Sequence, residues 1–321
     1  LLDEDHILGF DEIEVSKDDA KCKLAEKWMQ KTAVDSELQV NENDTQIHIK
    51  GREFAYTIDR RTALFTEMKF AGREYLNHPM ELNIWRAPTD NDMYIKAEWK
   101  KAHYDKAYTR AYTTEVVQGK HGVKIVSHAS VVAETVQKIL DVTITWKIDA
   151  SGKIDADIEA TKDGEFPDLP RFGVRMFLDK KLSDARYFGM GPQESYRDKH
   201  QAASHGLYRA NVRDLHEDYI RPQENGSHYD CEYVELNNSR YGIVASAEKA
   251  FSFNASYYTQ EELEKKTHNY ELIESDSVVF CVDYALNGIG SNSCGPVVLE
   301  QYRFDDVLFR FQFTLIPYVK G

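Results

Sequence analysis

Several groups of side chains in this sequence have the types and spacing for chemistry. The run Trp85-Arg86-Ala87-Pro88-Thr89-Asp90-Asn91-Asp92 sets two carboxylates beside a guanidinium. Asp90 and Asp92 would suit an acid–base pair or half of a calcium loop, but the further ligands and closing Glu of an EF-hand are missing. With 54 acidic residues in the chain, two neighbouring ones are expected by chance. The preferred reading is that both cap a helix start and pair with Arg86. Glu194, Arg197 and Asp198 read in the same way, as a buried structural network ahead of a catalytic dyad. Gly189-x-Gly191-Pro192 is no phosphate loop, because Pro192 lacks an N–H and no Lys-Ser/Thr follows. His228 shares an extended face with Asp230 and Glu232, which suits a metal or sugar site, although an ordinary surface strand is the simpler reading. His268 is a candidate general base, weighed against a hydrogen-bonded structural histidine. Cys294 lies in a Gly/Ser/Asn loop and should be accessible, but no neighbouring motif supplies the His that a nucleophilic thiolate needs.

The elements that must position these residues are strands. Val142, Ile144, Trp146 and Ile148 alternate with polar residues, then Asp149-Ala150-Ser151-Gly152 forms a turn, and alternation resumes from Ile154 to Ala160. That pattern predicts an antiparallel hairpin. Further strands are expected at 46–50, 124–131, 172–178, 241–247, 278–284 and 308–316, the last with Phe309, Phe311, Phe313 and Leu315 on one face. Helical signals are few: 96–108, and a capping box at Thr259 and Glu262 that opens a helix through Lys266. Glycines and prolines mark 189–192 and 288–296 as shaped loops. The fold class is therefore all-β, a large antiparallel sandwich with a few short helices.

Composition bounds the function. A hydrophobic fraction of 42% supports a sizeable core, and a net charge of −14 disfavours nucleic acid. No stretch approaches the apolar length of a membrane helix. Cys22, Cys231, Cys281 and Cys294 are far apart, which suggests neither a disulfide framework nor a zinc site and makes a reducing cytoplasm the default location. The start, Leu1-Leu2-Asp3-Glu4-Asp5-His6, reads as a cut inside a longer chain.

Taken in order, the motifs at 85–92 and 191–198, Pro222-Gln223-Glu224-Asn225-Gly226, Thr267-His268 and 288–293 resemble the C-terminal domain of the large bacterial β-galactosidases, glycoside hydrolase family 2. The resemblance covers nearly the whole chain and implies a galactose-mutarotase-like supersandwich over 45–321. A linker would span 21–44, and 1–20 would close a preceding immunoglobulin-like domain. It also implies retaining hydrolysis of terminal β-D-galactosides such as lactose, by two carboxylates about 5 Å apart. In that family they lie, with the ligands of magnesium and, where it is bound, of sodium, in a (β/α)8 barrel that would precede Leu1. No catalytic carboxylate, metal or cofactor is expected here.

What remains for this domain, by resemblance, is a loop at the mouth of the barrel, with Asn292, Ser293 and Cys294 nearest the substrate. The family often has a stacking Trp where this chain has Cys294. The expected partners are the N-terminal remainder of the same protein, a β-galactoside and further copies of the parent. Two alternatives stand beside this reading. One is an independent carbohydrate-binding module with Arg86, Glu194, His228 and His268 along a sugar cleft. The other is an aldose epimerase using His and Glu, which the loop motifs do not match.

Overall fold

A computed structural model describes residues 9–13 and 37–320. Seventeen strands are described. A five-stranded sheet runs in order through β1 (Gln39–Glu42), β2 (Gln46–Lys50), β3 (Phe54–Asp59), β4 (Leu64–Phe70) and β5 (Arg73–Glu74). The larger sheet has twelve strands: β6 (Leu76–Asn83), β7 (Tyr108–Gln118), β8 (Gly122–Val132), β9 (Leu140–Asp149), β10 (Ile154–Lys162), β11 (Arg171–Asp179), β12 (Asp184–Gly191), β13 (Ser204–Asn211), β14 (Ser227–Asn237), β15 (Tyr241–Ser256), β16 (Ser277–Leu286) and β17 (Leu308–Val319). Its main path is β13-β12-β14-β15-β17-β10-β9-β8-β7, and a branch leaves β15 through β16 and β11 to β6. The helices are α1 (Ile95–Lys101) and α2 (Gln260–Lys265). The expected antiparallel all-β architecture is the one observed.

Period-two patterning accounts for the core. Val142, Ile144, Trp146 and Ile148 of β9 are all buried, as are Phe309, Phe311, Phe313 and Leu315 of β17. The β9–β10 hairpin turns where expected: Asp149 Oδ1 accepts the amides of Ser151 at 2.8 Å and Lys153 at 3.2 Å, and Gly152 takes a φ of +86°. A Cβ at Gly152 would also come within 3.0 Å of Phe54 and Tyr56, so glycine lets the small sheet close over the turn. Trp146 fixes the layers further, donating its Nε1–H to the Ala63 carbonyl at 2.8 Å and meeting Phe65 edge-on at 4.9 Å.

Several boundaries differ from the sequence reading. Gln39–Glu42 pairs with β2, inside the stretch expected to be linker, while the rest of that stretch up to residue 36 and most of 1–20 lie outside the described residues. Gly189 and Gly191 end a strand and do not form a loop: a Cβ at Gly189 would sit 2.3 Å from Cys231 Sγ, so the residue permits close strand contact. The helix expected over 96–108 stops at Lys101 and continues as a 3-10 turn at Tyr104–Lys106. At α2, Thr259 Oγ1 accepts the Glu262 amide at 3.1 Å, but Glu262 turns away to accept the Ile273 amide, so only half of the expected capping box forms.

Candidate functional site

The loop 287–296 is held in place by side chains from two other loops. Arg86, fully buried at the end of the segment after β6, donates from Nε and Nη2 to the carboxylate of Asp92 at 3.1 and 2.6 Å. Its remaining donors reach the carbonyls of Asn287 and of Gly288, the latter at 3.0 Å. The Trp99 ring of α1 lies 5.3 Å from the same guanidinium. Asn91, on the 3-10 turn Asp90–Asp92, donates to the Gly290 carbonyl at 2.7 Å and accepts from Ser293 Oγ at 2.8 Å. Asp198 takes the amides of Ile289 at 2.9 Å and Gly290 at 2.7 Å. Two glycines are required here. A Cβ at Gly288 would lie 2.8 Å from Asp198 Oδ2, and Gly290 has a φ of +66°.

Beneath this loop lies a buried charge network. Arg171 makes a two-bond pair with Asp283, at 3.2 and 2.7 Å, and a third bond to Glu224 at 3.0 Å. Glu224 also accepts the Ala87 amide at 3.2 Å, which ties the network to the Arg86 loop. Burial opposes the Arg171 charge, but the two carboxylates hold its proton well above the ordinary range. Burial pushes the Asp283 carboxyl up, to about 6, against the pull of Arg171.

The predicted site residues separate into distinct places. Arg86 and Asp92 form the strut as read, whereas Asp90 does not join it. Asp90 is exposed, its amide bonds to Gln223 Oε1 at 3.1 Å, and Asp92 alone closes the turn by accepting from Thr89. Glu194 forms a second node, accepting from Tyr219 Oη, Lys199 Nζ and the Gly226 amide. Burial opposes the Lys199 charge, yet its bonds to Glu194 and Tyr219 hold the ammonium above its usual range. Asp90, Asn91, Glu194 and Lys199 line one cavity of about 210 Å³.

His228 lies outside this cluster, and the surface-strand reading is corrected. Its ring is buried, stacked 5.0 Å from Phe253, with Nδ1 3.3 Å from the Met190 carbonyl. Burial pushes it down to about 4, so it is neutral near pH 7. Nor does it share a face with Asp230, because a bulge there, with Asp230 at φ +54°, breaks the alternation and sends Asp230 to His205 at 2.9 Å. His268 is exposed, stacks on Tyr270 and bonds to Thr267 Oγ1 at 3.1 Å. Ser293 and Cys294 are exposed at the loop tip and Asn292 is half-buried. Among the described residues no three His, Cys, Asp or Glu side chains are placed to hold a metal ion.

The sequence reading gave Asp198 a structural part without its partners, and it missed the parts played by Asn91, Arg171 and Asp283. Only the motif positions of Asn91 and Asp198 could have drawn attention to them, because their partners lie about 90 to 200 residues away.

Fold and site together define a large antiparallel β-domain that presents a shaped loop on a rigid polar frame. The chain belongs to the β-galactosidase small-chain family, whose profile matches residues 50–315. It is 42% identical over 316 residues to a β-galactosidase of Actinobacillus pleuropneumoniae, covering 98% of this chain and 30% of that protein. A Staphylococcus xylosus β-galactosidase is 32% identical, with 88% and 28% covered. The chain thus spans under a third of the length of these relatives. Among solved structures, a galactose 1-epimerase from Lactobacillus acidophilus NCFM aligns over 89% of this chain and 99% of its own, at 9% identity and a TM-score of 0.45.

Proposed function

We propose that this chain is the C-terminal part of an enzyme that hydrolyses terminal β-D-galactosides such as lactose with retention, and that it completes the active-site mouth without supplying the catalytic carboxylates. The observation that carries this reading is the loop 287–293, whose backbone is fixed by Arg86, Asn91 and Asp198 while Ser293 and Cys294 stay exposed at its tip. A loop held this way suits a surface that must position substrate for chemistry performed elsewhere. Asp92, Glu194, Asp198, Glu224 and Asp283 each accept at least two hydrogen bonds from fixed donors, which is the condition of structural carboxylates. The catalytic pair, its magnesium and any sodium belong on this reading to a barrel in the N-terminal remainder, within a homo-oligomeric cytoplasmic enzyme.

Incubation of the 321-residue chain with a chromogenic β-galactoside tests the division of labour. No turnover above buffer is expected. Turnover abolished by Glu194→Gln would overturn the proposal.

A further inference from the structure

The large sheet forks at β15. Its first half pairs with β17 as far as Ser246↔Thr314, and its second half pairs with β16 from Ser252↔Asp283. Residues 247–251 have no ladder partner in either strand, so β16 and β17 diverge there. The opening holds two adjoining cavities of about 190 and 370 Å³, both lined by Ala250 and Tyr284.

The lining is rich in hydrogen-bonding side chains. Arg310 forks onto Asp157, with Nε at 2.7 Å from Oδ1, and Gln312 Nε2 adds a bond to the same carboxylate at 3.1 Å. Arg310 and Gln312 are exposed and line the larger cavity together with Asp157, and their remaining N–H groups are available to a ligand. The Tyr284 ring is held nearly parallel to Phe309, at 5.1 Å and 15°, and is half-buried between the cavities. Arg197 and Tyr229 close the smaller cavity, with Arg197 held by the Arg303 carbonyl at 2.9 Å. Acidic and basic side chains around the two cavities nearly balance, in a chain whose net charge is −14. Neither an anion nor a cation is selected by such a lining. Planar hydrogen-bonding side chains beside tyrosine rings suit a neutral polyol with apolar ring faces.

We infer that this cleft binds a neutral oligosaccharide longer than one ring, at a site separate from the loop 287–296. The inference does not depend on the loop's role. Titration calorimetry of the 321-residue chain with β-1,4-galactotriose tests it. Saturable binding is expected, weakened about tenfold or more by Arg310→Ala/Gln312→Ala and unchanged by Ser293→Ala. Arg310 is half-exposed, so the double variant should fold, as circular dichroism would verify. Absence of saturable binding, unaltered binding by the folded double variant, loss on Ser293→Ala, or preference for a sulfated trisaccharide would each overturn it.

Discussion

Asp198 lies beneath Gly290 with its Oδ2 2.7 Å from the glycine amide, while its Oδ1 takes the neighbouring Ile289 amide. One carboxylate therefore satisfies two consecutive N–H groups of a loop 91 and 92 residues further along the chain. Charge-assisted bonds of this kind contribute about 1.5–3 kcal/mol each when both partners are held. Asp198→Ala should free both amides. Hydrogen exchange at residues 289–290 is expected to accelerate by at least about tenfold, and the thiol of Cys294 should react faster with a maleimide. Unchanged exchange would show that Arg86 and Asn91 suffice to hold the loop.

The Arg171–Asp283–Glu224 network should be costly to break from one side. Arg171→Met leaves two buried carboxylates without their cation, and denaturant unfolding should report a loss of about 3–5 kcal/mol. A loss under about 1 kcal/mol would mean that the site admits water and is not the dry network described.

His228 makes stability depend on pH. Its folded value, about 4, lies below the usual 6.5, so the unfolded chain takes up a proton first as pH falls. The stability this contributes is complete above about pH 6.5 and is lost progressively down to about pH 4. At about 1.4 kcal/mol per pH unit, the loss at pH 5 is on the order of 2 kcal/mol. In unfolding titrations at pH 7 and pH 5, His228→Gln should reduce the pH dependence by that amount. Equal slopes for the two proteins would contradict the burial argument.

The strands were legible wherever alternation ran uninterrupted, as from Val142 to Ile148 and from Phe309 to Leu315, because a half-buried strand leaves that pattern in any sequence. β15 was seen only in part. Glu248 and Lys249 interrupt its apolar pattern at the fork, where the strand changes partners and those side chains are exposed. His228 was misplaced because a positive φ at Asp230 shifts the register, and a bulge leaves no reliable composition signal at a non-glycine residue. The site was legible as motifs but not as bonds. Arg86 and Asp92 are six residues apart and could be paired by inspection, whereas Asn91 and Ser293 are 202 apart and meet only through the fold.

On the proposed function, the loop strutted by Arg86, Asn91 and Asp198 shapes an active site whose chemistry is performed outside this chain. The most direct test is kcat/KM for lactose in the complete enzyme carrying this chain, with Asp198→Ala compared with wild type. A fall of about tenfold or more is predicted, since loosening a positioning element by about 1 Å can cost up to a hundredfold. Wild-type kcat/KM in a variant whose loop amides exchange faster would contradict a positioning role for the loop.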